Sequence, residues 1–189
     1  MKIGLYFGSF NPIHIGHLAI ANYMIEYSDM DKLWFVVSPQ NPFKSKQSLL
    51  ADYHRLRLVN TAIEYDLRFK ASNIEFKMPK PSYTIDTLTY LKEEYPEHDF
   101  AIIMGEDNLK GFHKWKNYQE ILNNHQIYVY PRDYKTIQKN PYPQVSIIEA
   151  PLIEISSSFI RKAIQEKKDV RHFMHHKVAE YVKEMHFYE

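Results

Sequence analysis

The sequence predicts an α/β protein built on a doubly wound parallel sheet, and three observations carry that expectation. Short uninterrupted apolar runs recur, the strongest being KIGLYF, LWFVVS and FAIIM, as expected of strands buried on both faces. Segments of helical periodicity separate them, which calls for parallel strands joined by crossovers. The length of 189 residues suits one domain over 1–189, with a C-terminal helical segment, 155–189, packed on it. Right-handed crossovers then give a Rossmann-like arrangement.

The elements follow in order. Lys2–Phe7 reads as a buried strand ended by Gly8-Ser9. Gly16–Tyr27 reads as a helix with Leu18, Ala21 and Ile25 on one face. Leu33–Ser38 is a second strand, closed by Pro39 and the loop Gln40–Ser48. Asp52 is placed to cap a helix running to about Tyr65, apolar at Leu56, Val59 and Ile63. A weaker strand lies near Ala71–Phe76, then the loop Lys77–Ser82 and a helix from Thr84 to Tyr95, stopped by Pro96. Phe100–Met104 is the third strong strand, followed by a Gly105-Glu106-Asp107 loop. A short helix at Asn117–Asn123, strands at Gln126–Tyr130 and Val145–Glu149, and helices near Ser157–Gln165 and Lys177–His186 complete the chain. The polar stretch Arg132–Gln144 is an excursion from the sheet.

Composition narrows the function. Twenty-four basic residues against 23 acidic ones leave a net charge of +1, against a chain held on nucleic acid or an anionic membrane by bulk electrostatics. The absence of cysteine excludes a thiol nucleophile, a disulfide framework and Cys-based zinc sites. No apolar run approaches a membrane span, and the N-terminus lacks a secretory pattern, so a cytoplasmic protein is expected. Only five glycines are present. Each is expected to hold a position that a side chain would spoil, Gly8 by making a sharp turn off the first strand.

In doubly wound sheets ligands bind outside the carboxyl ends of the strands. The segments following strands here are Gly8–His17, Pro39–Lys46, Gly105–Trp115, Pro131–Arg132 and Ile155–Arg161. In the first, His14 and His17 are three apart, on one side of an opening helical turn. A helix start offers N–H groups to phosphate, and two imidazoles there can donate to phosphoryl oxygens as charge develops. A zinc site would need a third ligand, and His172, His175 and His176 read as an ordinary helix start. In the last segment, Ser156, Ser157 and Ser158 at a helix start form a second anion site, with the Arg161 fork on the first turn. Trp115 stands among lysines and His113, a setting that favours a site at the sheet edge over the core. Arg55, Arg57 and Arg132 can reach phosphate, although Arg55 and Arg57 read equally well as solvated helix charges.

The Gly-x-Phe-x-Pro-x-His-x-Gly-His stretch at Gly8–His17, together with Ile-Ser-Ser-x-x-Ile-Arg at Ile155–Arg161, resembles the nucleotidyltransferase superfamily of α/β phosphodiesterases. Tyr83-Thr84-Ile85-Asp86-Thr87-Leu88, Gly105-Glu106-Asp107 followed by Trp115, and the C-terminal run from His176 resemble its bacterial nicotinate mononucleotide adenylyltransferase family over essentially the whole chain. The resemblance implies that the 5′-phosphate of nicotinate mononucleotide attacks the α-phosphorus of ATP, expelling pyrophosphate and forming deamido-NAD. An anionic nucleophile needs no general base, so positioning and charge stabilisation suffice. The implied roles are catalysis for His14 and His17, and ATP or phosphate contacts for Gly8, Ser9, Phe10, Lys44, Gly105, Ser156, Ser157, Ser158 and Arg161. Asp107 would accept hydrogen bonds from the adenosine ribose. Tyr83 and Thr84 would hold the nicotinate carboxylate through backbone N–H groups, and Trp115 would stack on the pyridinium ring. Mg²⁺ would arrive with ATP, held by phosphate oxygens rather than by a protein cage. The sequence departs from the family at Asn41-Pro42-Phe43-Lys44, where relatives commonly carry a second proline.

Alternatives are an adenylyltransferase preferring nicotinamide mononucleotide, one using another phosphorylated acceptor such as phosphopantetheine, or a non-catalytic nucleotide-binding protein. Backbone N–H geometry decides between nicotinate and nicotinamide, and the sequence does not show it. Because His14–His17 spells HIGH, an aminoacyl-tRNA synthetase fragment is a rival of another class. It lacks a separate lysine-serine signature and a basic RNA face.

Overall fold

The computed structural model describes residues 1–39, 49–132 and 142–189. Six parallel strands form one sheet: β1 (Lys2–Gly8), β2 (Lys32–Val37), β3 (Phe69–Ser72), β4 (Asp99–Gly105), β5 (Ile127–Tyr130) and β6 (Val145–Ile147). Their order is β3-β2-β1-β4-β5-β6, so the chain winds outward from β1 in one direction and from β4 in the other. Among the described residues seven α-helices accompany them: α1 (Ile15–Glu26), α2 (Asp52–Ile63), α3 (Thr84–Glu94), α4 (Glu106–Lys110), α5 (Tyr118–Asn124), α6 (Ser157–Gln165) and α7 (His176–Glu184).

Alternation along the strands sends side chains into two cores. Leu33, Phe35 and Val37 of β2, Ala101 and Ile103 of β4, and Tyr128 and Tyr130 of β5 face α1, α2, α6 and α7. Trp34 and Val36, Phe100, Ile102 and Met104, and Ile127 and Val129 face α3 and α5. Coverage of both faces explains the unbroken apolar runs. Gly4 of β1 is required for packing, because a Cβ there would collide with the Met30 sulfur and the Ile103 side chain.

Several boundaries differ from the sequence reading. The third strand begins earlier, at Phe69, whose ring packs edge-on against Phe35. After Ser72 the chain leaves the sheet for a 3-10 turn, Ile74–Lys77, where a strand was expected. Ile74 N–H donates to the Ser72 hydroxyl and Phe76 N–H to the Asn73 carbonyl, closing that turn. Glu106-Asp107, read as a loop, opens α4: both acids lie in its first turn, where the helix dipole favours them, and Glu106 pairs with Lys110 at 3.3 Å. The inward face of α1 is Gly16, Ile20, Ala21 and Met24, the i, i+4 row, leaving Leu18 and Ile25 half-buried. Asp52 does not cap α2. It is the helix's first residue, and its carboxylate turns to Arg55 and Lys80. Most of the excursion at 132–144, and the loop 40–48 with Lys44, lie outside the described residues.

Candidate active site

Reversal of strand order leaves a crevice between the ends of β1 and β4, and a cleft of about 480 Å³ opens there. The turn off β1 is made by Phe10, whose φ of 44° lies in the left-handed region. Such a conformation costs roughly 1–3 kcal/mol in a bulky residue. Burial of the ring offsets it: Phe10 is 1% exposed and packs edge-on against Tyr6, His17 and Phe35. The expectation that Gly8 supplies the turn is therefore corrected. No glycine has a positive φ. Gly8 supplies room, since a Cβ there would come within 2.8 Å of the Phe10 ring.

Beneath this turn lies Arg55, 0% exposed. Its Nη1 donates to the carbonyls of Ser9 at 2.7 Å and Ser38 at 2.8 Å, and Nε donates to the Leu50 carbonyl at 3.0 Å. Nη2 meets Asp52 Oδ1 at 2.6 Å. One rigid fork thus sets the end of β2 and the loop after β1 relative to each other. Arg55 is neither a phosphate ligand nor a solvated charge, whereas the exposed Arg57 lies over the Tyr181 ring.

His14 immediately precedes α1, and its backbone N–H donates to His17 Nδ1 at 3.3 Å. With Nδ1 accepting, a neutral His17 ring carries its proton on Nε2. The two rings lie 3.8 Å apart, tilted by 31°. Burial, and secondarily the positive charge of Arg132, lowers the His14 pKa to about 4, so the ring is neutral at pH 7. Its Nδ1 is buried without a hydrogen-bond partner among the described residues.

Helix α6 closes a second side. The Ser156 hydroxyl caps it by accepting from Phe159 N–H at 3.1 Å. Ser157 donates to the Pro12 carbonyl at 2.9 Å, and Arg161 Nη1 to the Asn11 carbonyl at 2.8 Å. Arg161 Nη2 lies 3.3 Å from the Ser158 hydroxyl, so part of the fork expected on phosphate holds α6 to the loop. Buried Asn11 ties the same loop to the chain's end by accepting at Oδ1 from the Tyr188 hydroxyl at 2.8 Å.

At the end of β5 the Tyr130 and Tyr6 hydroxyls are hydrogen-bonded at 3.0 Å. Arg132 Nη2 reaches Tyr130 at 3.5 Å, and its Nε lies 3.6 Å from Asp107 Oδ1. Gly105 is hemmed in by both: a Cβ would stand 2.5 Å from Asp107 Oδ1 and 3.2 Å from Arg132 Nε. The opposite end of the cleft carries Tyr83, Thr84 and half-buried Trp115. The indole packs on Phe112, with centroids 5.2 Å apart. Lys116 holds Asp86 at 2.8 Å and lies over the Tyr83 ring.

His14, His17, Gly8, Ser9, Phe10, Gly105, Asp107, Ser156, Ser157, Ser158, Arg161, Tyr83, Thr84 and Trp115 all line this cleft. Lys44 lies outside the described residues. Sequence reasoning missed Asn11, Tyr6, Tyr130 and Glu75. Asn11 sits inside the first motif and could have been singled out; the others carry no local signal. Among the described residues no group of three or more His, Asp or Glu side chains is placed to hold a metal ion.

The cytidylyltransferase-like family model matches residues 5–163. The chain is 53% identical to a probable nicotinate-nucleotide adenylyltransferase of Flavobacterium johnsoniae, and 54% identical to its counterpart in Flavobacterium psychrophilum, each over the whole of both chains. The fold is similar to that of Plasmodium falciparum nicotinic acid mononucleotide adenylyltransferase complexed with NaAD. The TM-score is 0.84 at 21% identity, covering 99% of this chain and 97% of the other.

Proposed function

The chain belongs to the cytidylyltransferase-like family and, within it, to the nicotinate-nucleotide adenylyltransferases, and from that premise we propose how its cleft works. The enzyme transfers AMP from ATP to nicotinate mononucleotide, giving deamido-NAD and pyrophosphate in NAD biosynthesis. The observation that carries the reading is the juxtaposition, in one cleft at the strand-order reversal, of two histidines, a serine-rich helix start and an arginine with a separate Tyr83, Thr84 and Trp115 wall. Triphosphate suits the first group, and a pyridinium ring suits the second.

ATP would bring Mg²⁺ with it, and the ion would supply charge neutralisation on the triphosphate. Ser156–Ser158 and Arg161, with Lys44, take the β- and γ-phosphates, and Asp107 takes the ribose. The acceptor's phosphate then attacks the α-phosphorus in line. His17, with its proton on Nε2, and His14 donate to the phosphoryl oxygens. His14 is neutral in the free protein because its pocket desolvates it, and an arriving triphosphate raises its proton affinity. Stabilisation thus grows as charge develops. The reaction is assigned to the cytoplasm, where ATP turns over. Among the described residues no helix is long and apolar enough to cross a membrane.

A pyrophosphate-release assay with ATP, comparing nicotinate and nicotinamide mononucleotides, tests the reading. Turnover is expected with the nicotinate compound, and His17→Ala should lower kcat by about 10²-fold or more with little change in KM for ATP. A preference for the nicotinamide compound refutes the substrate, and near-wild-type turnover in His17→Ala refutes the histidine's role.

A further inference from the structure

Glu75 is the buried charge that neither the motifs nor the mechanism uses. It lies on the 3-10 turn after β3 and is 3% exposed. Among the described residues no cation pairs with it. Hydroxyls satisfy it instead: Ser82 donates to Oε2 and Thr87 to Oε1, both at 2.9 Å, and the Ser38 side chain adds a further hydrogen bond. Ser82 and Thr87 are themselves buried, at 8% and 0% exposure. A carboxyl group hidden from water without a counter-ion is costly, and burial accordingly pushes its pKa up.

The position of Ser82 and Thr87 gives this carboxyl group its use. Ser82 immediately precedes Tyr83, and Thr87 follows Thr84 by nearly one helical turn, so a single rigid acceptor grips α3 on both sides of its first residues. Thr87 also reaches the Tyr83 carbonyl at 3.3 Å. Asp86 and Thr87 N–H groups close the first turn on the Tyr83 carbonyl, and the buried hydroxyls of Ser82 and Thr87 anchor that turn to the 3-10 segment beneath the cleft wall.

We propose that Glu75 is a positioning residue for the acceptor substrate: by holding Ser82 and Thr87 it aims the Tyr83–Thr84 backbone N–H groups at the acceptor's carboxylate. This rests on the assignment of that loop to the nicotinate ring. The ATP half of the cleft is organised chiefly by Arg55 and Asn11, so the loss of Glu75 is predicted to fall mainly on the acceptor half.

The test is steady-state kinetics on Glu75→Ala, Glu75→Gln and Thr87→Val, with thermal melts showing that each variant is folded. Glu75→Ala should raise KM for nicotinate mononucleotide about tenfold while KM for ATP and kcat stay within about twofold to threefold. Glu75→Gln, which keeps an acceptor oxygen, should recover part of the loss. Unchanged KM values, or equal rises for both substrates, overturn the proposal. Should Glu75→Ala not fold, Thr87→Val carries the same selective rise or refutes it. A wild-type enzyme inactive with nicotinate mononucleotide refutes the substrate reading alone. Positioning is then judged by amide hydrogen exchange at Tyr83 and Thr84, which Glu75→Gln must accelerate; unaltered exchange refutes it.

Discussion

Replacing His14 by asparagine should flatten the acid limb of the protein's stability curve. His14 is 4% exposed, and burial with the nearby Arg132 holds its pKa near 4. In the unfolded chain the ring titrates near 6.5. Above pH 6.5 both states carry a neutral ring, and His14 contributes no pH dependence. As pH falls from 6.5 toward 4 the unfolded chain binds a proton that the folded protein does not, so stability is lost progressively. Below about 4 both states are protonated and the loss stops. At about 1.4 kcal/mol per pH unit, the interval amounts to ~3 kcal/mol. Asparagine removes this titration, whereas the carboxylates titrate alike in both proteins and cancel in the difference. Urea unfolding at several values between pH 4 and 7 measures it. The variant's stability relative to wild type should improve by ~3 kcal/mol between pH 7 and pH 4. A difference that stays constant across that range refutes a buried, neutral His14 and the proton uptake on ATP binding that follows from it.

Two further changes probe the supports of the phosphate loop. Arg55→Met strips charged donors from the Ser9, Ser38 and Leu50 carbonyls and leaves Asp52 with only the exposed Lys80. It should cost about 3–5 kcal/mol, lowering the melting temperature by roughly 10 °C, with Arg55→Lys recovering less than half. A melt within about 2 °C of wild type would show that the fork is dispensable. Tyr188→Phe removes one buried hydroxyl from Asn11 and should cost about 1 kcal/mol in urea unfolding, with no detectable change disproving a tether from the chain's end to that loop.

The winding of the sheet was legible because each local signal agreed with it: apolar runs gave strands buried on two faces, and the segments between them had a helical period. The site was legible for a related reason. Its groups follow strand ends, where a doubly wound sheet collects ligand contacts, so the positions of His14, Asp107, Trp115 and Ser156 along the chain already place them together. Boundaries were less legible. The Phe69–Ser72 strand is fixed by Phe69 packing on Phe35, a contact between distant segments, and the following 3-10 turn by hydrogen bonds within four residues. Nothing in the helix α2 pattern distinguishes buried Arg55 from exposed Arg57. They are two apart on one helix and differ only in what each side meets.

By itself, then, the sequence determined the fold class, the edge of the sheet that carries the chemistry and the residue types gathered there, because periodicity and strand-end position are local properties of the chain. The tertiary structure alone decided what holds those residues in place. The left-handed turn sits at Phe10 rather than Gly8 because ring burial offsets the backbone strain. Arg55 and Glu75 are interior because the carbonyls and hydroxyls that satisfy them come from other segments. Desolvation inside the folded cleft, with Arg132 near it, makes His14 neutral, and no spacing along the chain encodes that.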